Sequence, residues 1–313
     1  MEYPSFDFSL RQLQYAVAVA DSLSFRKAAV HCHVSQPSLS AQLAQLETSL
    51  GIQLFERGRS GVLITESGRG FIKQARVILR ETEDLVEGVR RESDPFSGTL
   101  RIGAIPTIAP YLLPDMVPAL RTEYPRMSFV WVEEKTATLV ERLGMGELDA
   151  AILALEAPLG EVSSCVMGKD PFVLAMPKEH PLARSGRPVQ RKSLDGERVL
   201  LLEDGHCFRE QALSWCSTAG AEEAGYRGTS LQTLMQMVAG GAGVTLLPTL
   251  ALDVENRRGT LEVRRFASKA PYRTIALVWR KHAARSTTLA TLGAFLADTY
   301  TKLEHASGQV HGV

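Results

Sequence analysis

Cysteine is scarce in this chain, with four residues in 313. That is too few to staple a protein of this length, so a disulfide here would be a transient, functional bond in a reducing compartment. Long apolar runs are also missing: none approaches about 18 residues, which argues against a membrane-spanning helix. The opening Met1-Glu2-Tyr3-Pro4 has neither the basic n-region nor the apolar h-region of a secretory signal. The expectation is a cytoplasmic protein that meets no membrane. Net charge is absent as well, because 35 Lys and Arg balance 35 Asp and Glu, so the overall balance says nothing for nucleic acid. What is present is 45% hydrophobic content, enough for sizeable cores, and a length that suits two or three domains.

The N-terminal third reads as helices. Ser9-Leu10-Arg11-Gln12 is a capping box, followed by Leu13, Val17 and Ala20 at helical spacing. Ser24 caps a short helix from Phe25 to Val30, and a tight turn, His31-Cys32-His33-Val34, leads to Ser35-Gln36-Pro37. The next helix carries Leu39, Leu43, Leu46 and Leu50 on one face and ends at Gly51. Two short helices joined by a turn, the second polar outside, form a helix-turn-helix. The outer face offers Ser38, Gln42 and Gln45, types that bond phosphates and base edges, although a solvated helix face would look the same. A small hairpin around Gly61 follows. From Arg57 to Arg80 six basic residues (Arg57, Arg59, Arg69, Lys73, Arg76, Arg80) stand against one acidic residue, Glu66, a local footprint hidden in the whole-chain balance. Thr65 starts a helix to about Arg91, with Phe71, Ala75, Ile78, Thr82, Leu85 and Val89 forming a seam narrow enough for a second copy. Asp94-Pro95-Phe96-Ser97-Gly98 reads as a linker.

Beyond the linker, strands and helices alternate, predicting α/β structure with mostly parallel sheets. Strands are expected over 99–105, 127–132, 148–155, 173–175, 199–202, 244–247 and 274–278. Within this region lies the most informative stretch. The apolar run Val199–Leu202 reads as a buried strand, Asp204-Gly205 turns the chain, and His206 to Gly220 reads as a helix. Cys207 therefore sits at a strand-to-helix turn, with Cys216 nine residues on. In an unbroken helix nine residues rise about 13.5 Å and rotate about 900°, which puts the two thiols on opposite faces. A disulfide needs Cα atoms within about 7 Å, so bonding requires the segment to refold. The helix N-terminus favours a thiolate at Cys207, with His206 and Arg209 adding donors or charge and Asp204 and Glu210 opposing them. The plain alternative is two ordinary buried cysteines. His31-Cys32-His33 lacks spaced partners for a metal, and Gly240-Gly241-Ala242-Gly243 lacks a dinucleotide pattern, so no metal or cofactor is expected.

At these residues a resemblance emerges. Leu202-Glu203-Asp204-Gly205-His206-Cys207 with Cys216 is similar to the sensor segment of the OxyR-like, peroxide-responsive transcription regulators of the LysR type. Phe25-Arg26-Lys27-Ala28-Ala29, Val34 to Ser40, Leu46-Glu47 through Leu50-Gly51 and Leu54 to Arg57 resemble the LysR-type winged helix-turn-helix. The resemblance implies an α+β multidomain chain: a winged helix-turn-helix at 9–65, a dimerisation linker helix at 66–91, and an effector domain at 96–303 like the periplasmic binding proteins. That domain would comprise subdomain I (about 96–168 and 273–303) and subdomain II (about 169–272). It further implies that Ser35, Gln36, Pro37, Ser38 and Gln42 lie at the DNA, beside the wing's Arg57 and Arg59. Thr107, Thr136, His206, Glu210 and Arg273 would gather around a peroxide-reactive Cys207, with Cys216 as the resolving thiol that forms the disulfide. Implied partners are double-stranded promoter DNA, RNA polymerase, hydrogen peroxide, a glutaredoxin- or thioredoxin-like reductant, and further copies in a homodimer or homotetramer.

The implied role is that of a regulator, not an enzyme. Departures from the family pattern are Leu43-Ala44-Gln45 where many relatives carry a Lys or Arg, Glu210 where they often have Asp, and Gly225-Tyr226 where some have His-Phe. The main rival is a LysR-type regulator of a small organic effector with inert cysteines. A second is a thiol peroxidase that carries a DNA-binding domain.

Overall fold

The computed structural model describes residues 7–58, 61–91, 94–267 and 270–311, and the chain divides near residue 94 into two compact units. No helix among the described residues is long and apolar enough to cross a membrane.

The N-terminal unit begins with α1 (Leu10–Ser22), whose capping box is formed: Gln12 N donates to Ser9 Oγ and Ser9 N donates to Gln12 Oε1 at 2.8 Å. Ser24 caps α2 (Phe25–His31), and Ser35 caps α3 (Gln36–Leu50), with Pro37 in the first turn, where it costs no hydrogen bond. Leu39, Leu43 and Leu46 are buried against α1 and α2, and Gly51 ends α3 at φ 66°, the left-handed conformation that glycine adopts without strain. β1 (Phe55–Gly58) and β2 (Gly61–Ile64) pair antiparallel as the wing. Glu47 of α3 ties that wing down, its Oε1 accepting from Leu54 N at 2.7 Å and Phe55 N at 3.2 Å.

Thr65 caps the 26-residue α4 (Glu66–Arg91) by accepting from Gly68 N at 2.9 Å. The seam expected along this helix divides. Ala75 is buried with Ile72, which the spacing argument omitted, where α4 packs on α1, whereas Ile78 and Leu85 are exposed together with Val86. Val89's side chain lies outside the described residues.

The second unit is α/β, but not mostly parallel. Its main sheet runs β10-β6-β11-β5-β3-β4, with β9 on β6; these are β3 (Gly98–Ala104), β4 (Met127–Glu133), β5 (Ala150–Ala154), β6 (Val162–Pro177), β9 (Thr245–Pro248), β10 (Leu261–Arg264) and β11 (Tyr272–Arg280). β3 is parallel to β4 and β5, yet β11 is antiparallel to both β5 and β6, and β6 is antiparallel to β9 and β10. β7 (Arg198–Leu202) and β8 (Glu222–Gly228) form a separate parallel pair. The helices are α5 (Ala109–Glu123), α6 (Thr136–Gly144), α7 (Cys207–Ser217), α8 (Leu231–Ala239), α9 (Leu252–Glu255) and α10 (Ser286–His311).

Parallel order fails because β6 is 16 residues long and serves two halves of the sheet. Its first part pairs with β11 through Pro171↔Tyr272, and from Phe172 on it pairs with β9 and β10. The subdomain boundary expected near 168–169 thus falls inside a continuous strand. Two apolar cores result, one around β3, β5, β11, α5 and α10, the other around β7, β9, α7 and α8.

At the crossing, Arg273 and Asp170 face each other across the β6–β11 ladder and are both fully buried. Arg273 Nε donates to Asp170 Oδ2 at 2.9 Å, Nη1 to Thr107 Oγ1 at 2.7 Å and Nη2 to the Thr107 carbonyl at 2.8 Å. Asp170 Oδ1 accepts from Thr249 Oγ1 and Leu250 N. Breaking such a pair strands a buried charge, so Asp170→Ala is expected to lower the unfolding free energy of this unit by about 3–5 kcal/mol. Urea unfolding with far-UV circular dichroism measures it, and a change near zero would contradict this account.

Candidate functional site

The crevice is built by strand ends. β3 and β4 are parallel neighbours, so the segments after them, carrying Thr107 and Lys135-Thr136, leave the sheet at the same edge. Across from them β7 ends in the turn Glu203-Asp204-Gly205, with Gly205 at φ +93°, and α7 starts with His206 as its N-terminal cap and Cys207 as its first residue. Lys135 reaches over this turn, Nζ donating to Glu203 Oε1 at 2.5 Å and to the Asp204 carbonyl at 3.2 Å.

The two cysteines are free and buried at opposite ends of α7, and they belong to different cores. Cys207 belongs to the core that includes Ile105 and Ile108, Cys216 to the one that includes Leu200, Phe208 and Ala212. The opposite-face geometry expected from nine-residue spacing is thus realised as burial in two separate apolar environments. Burial pushes the Cys216 thiol up to about 12, with Arg191 opposing weakly. Phe208, between them in sequence, is anchored edge-on against Phe172 with ring centroids 5.1 Å apart.

Two buried polar atoms at this crevice lack any protein partner: Thr136 Oγ1 and His206 Nε2. Buried polar groups are ordinarily bonded, so each of these orphans is a hydrogen-bonding group left free for a small polar guest. His206 is held below the usual imidazole range, first by burial and then by the Lys135 charge, against an upward pull from Glu203.

The expected pocket residues therefore divide. Thr136 and His206 are buried with unpartnered polar atoms, and Lys135, next to Thr136, is hydrogen-bonded to the turn that precedes His206 and Cys207. Arg273 and Thr107 are buried but bonded to each other and to Asp170, so the guanidinium works as a structural tie at the strand crossing. Glu210 does not join the pocket: it is exposed on the outer side of α7 and makes no hydrogen bond among the described residues. Arg209 is buried instead, donating to Asp204 Oδ1 at 2.9 Å, the Leu202 carbonyl at 3.2 Å and both Glu223 oxygens at 3.0 and 3.2 Å. No local pattern marks Lys135 or Asp170, whose partners lie 68 to 103 residues off in the chain.

On the N-terminal unit, Ser35 spends its hydroxyl on the α3 cap, while Gln36, Pro37, Ser38 and Gln45 are exposed and Gln42 is half-buried. Arg57 lies in β1 with its side chain outside the described residues, and Arg59 is outside them altogether. The basic footprint is smaller than residue counting suggests: Arg69 pairs with Glu66, Arg76 with Asp21 and Arg80 with Glu83.

The two threonines should respond oppositely to loss of the hydroxyl. Thr136→Val removes an unpartnered group and is expected to change stability by less than about 1 kcal/mol or to raise it, whereas Thr107→Val deprives a buried guanidinium of an acceptor and should cost about 1–3 kcal/mol. Urea unfolding of both variants distinguishes them. Because His206 titrates lower folded than unfolded, the unfolded chain binds more protons on acidification, and stability should fall as pH drops through about 6.5. His206→Gln should remove that part of the slope in the same measurement.

Comparison with known proteins agrees with this architecture. Residues 10–69 match the bacterial regulatory helix-turn-helix protein, lysR family, and residues 93–301 match the LysR substrate binding domain. The chain is 43% identical over 273 residues to the hydrogen peroxide-inducible genes activator of Dickeya chrysanthemi, covering 87% of this chain and 89% of that one. Among solved structures, a full-length OxyR variant from Pseudomonas aeruginosa superposes with a TM-score of 0.77 at 35% identity, covering 95% of each chain. A cysteine-to-serine OxyR mutant from Corynebacterium glutamicum with hydrogen peroxide bound gives a TM-score of 0.65 at 32% identity, covering 98% of each. The chain belongs to the LysR-type transcription regulators and, among them, to the family of OxyR, the hydrogen peroxide-inducible genes activators.

Proposed function

We propose that the chain is a hydrogen-peroxide-sensing transcription regulator in which Cys207 is the thiol oxidised and Cys216 the thiol that resolves it. The Cys207 thiolate attacks one peroxide oxygen; the S–O bond forms, the O–O bond breaks, and hydroxide leaves to take up a proton as water. Sulfur gives up two electrons and becomes a sulfenic acid. Cys216 then displaces the sulfenic oxygen as water and the S–S bond closes. The Thr136 hydroxyl and His206 Nε2, both without protein partners, are suited to hold the two peroxide oxygens for in-line attack.

The observation that carries this reading is the burial of the two cysteines in separate cores at the two ends of one helix. Cys216, pushed up to about 12 by burial, is a protonated and poor nucleophile while α7 stands. Cys207 at the crevice therefore reacts first, and Cys216 enters once the helix opens. Opening withdraws Phe208 and Arg209 from their partners, so the oxidised effector domain must pack differently, and a homodimer or homotetramer would pass that change to promoter DNA. The exposed stripe of Ile78, Leu85 and Val86 on α4 supports the dimer. The α3 face of Gln36, Pro37, Ser38 and Gln42, with Arg57 and Arg59 of the wing, would read and grip the operator, and RNA polymerase would respond at the promoter. A glutaredoxin- or thioredoxin-like reductant in the cytoplasm would restore the thiols.

Stoichiometric peroxide followed by thiol mapping tests the reading. A Cys207–Cys216 disulfide is expected in the natural protein, a trapped sulfenic acid at Cys207 in Cys216→Ser, and no reaction at Cys216 in Cys207→Ser. Footprints on promoter DNA should differ between reduced and oxidised protein only while both cysteines are present. If both thiols stay free, the chain is a regulator of another effector. Arg57→Ala is expected to weaken binding to all DNA sequences alike and to lower the salt slope by about 1, measured by titration at several salt concentrations.

A further inference from the structure

Lys135 bridges the turn before α7 and the segment that carries Thr136. It follows β4 and immediately precedes Thr136, so it belongs to the wall opposite α7. Its ammonium crosses the crevice to the Glu203 carboxylate and the Asp204 carbonyl. The stem is placed with equal care. Gly205 adopts φ +93°, and a Cβ built there would stand 3.1 Å from Lys135 Cδ, so the glycine that makes the turn also leaves the lane through which the lysine passes. Both ends of this tether are close to the reacting groups: Thr136 is the next residue on one side, and His206 and Cys207 are the next after Gly205 on the other.

We propose that Lys135 is a positioning residue for the thiol–peroxide reaction, clamping the 203–205 turn so that His206 and Cys207 face Thr136 across the crevice. The ion pair is half-exposed on both partners, and pairs of that kind contribute little to stability. Its value is geometric: a tether one residue before Thr136 and two to three residues before His206 sets the gap into which a peroxide must fit, and misplacement of about 1 Å at such a gap costs rate steeply. Burial disfavours the charged form of His206, and the same cation adds to that effect. The charged groups acting on that imidazole are Lys135 from the opposite wall, pulling down, and Glu203 from its own turn, pulling up. A neutral imidazole keeps one ring nitrogen free to accept a hydrogen bond from peroxide.

The proposal rests on the peroxide reading of Cys207, and the test separates the two. In full-length protein carrying Cys216→Ser, sulfenic acid formed at Cys207 is trapped with dimedone and timed by mass spectrometry across pH 5–8, while the His206 ring is titrated by NMR. Lys135→Met is expected to slow sulfenic acid formation about tenfold and to raise the His206 midpoint, with Lys135→Arg restoring most of the rate. Glu203→Gln, which releases the same clamp from the other side, should slow the reaction too and serves if Lys135→Met folds poorly. An unchanged rate in both variants overturns the proposal, as does a slower rate with the His206 midpoint unmoved in Lys135→Met. No sulfenic acid in the parent Cys216→Ser protein overturns the peroxide reading and this proposal together.

Discussion

The buried ion pair between Arg273 and Asp170 is the constraint on which the effector unit depends. Two full charges sit in the interior at no solvent exposure, which is tolerable only because every guanidinium nitrogen has an oxygen partner and both carboxylate oxygens are used. The pair lies where β6 stops pairing with β11 and starts pairing with β9 and β10. It reaches Thr107 at the start of the α5 segment and Thr249–Leu250 after β9, so one cluster joins both cores. The segment carrying Thr107 is thereby tied at its root to the strand crossing.

Helix α7 is the element with two demands on it. Phe208 and Cys216 belong to one core and Cys207 to the other, while Arg209 is pinned to Asp204, Leu202 and Glu223. Withdrawing a buried phenylalanine costs about 2 kcal/mol and uncoupling buried charge more. A disulfide typically contributes about 2–4 kcal/mol through chain entropy. The two sides are of similar size, so a bond formed here is opposed by the packing it destroys. Disulfides opposed in this way are the readily reduced, regulatory ones, which is the thermodynamic character a reversible sensor requires.

Much of the local architecture was legible in the residues. The Ser9–Gln12 capping box, the Ser24 and Ser35 caps, the Leu39, Leu43 and Leu46 stripe, the Gly51 stop and the Asp204-Gly205 turn all involve partners within a few positions, and all stand as read. The misreadings have physical causes. β6 was read as a short strand because Pro171 and the polar residues before it break the apolar run, yet its neighbours supply the pairing. β8, with Glu-Glu-Ala-Gly-Tyr-Arg-Gly, has little strand character of its own and exists because β7 offers it a parallel edge. Glu210 shares a helix with Cys207 but is exposed, and Arg273 spends its charge on Asp170.

The sequence by itself determined the helix starts and stops, the strand-to-helix turn before Cys207, and the impossibility of a Cys207–Cys216 bond across an intact helix. These follow from backbone geometry and from side chains within about one turn of each other. Only the tertiary structure decided that the sheet is mixed, that the two thiols lie in different cores, and that Thr136 and His206 keep unpartnered polar atoms while Thr107 and Arg273 do not. Only it decided that Lys135 meets Glu203, 68 residues away, and that Asp170 meets Arg273, 103 residues away. Such partners are chosen by which strand ends the fold brings to one edge, and no local periodicity records that choice.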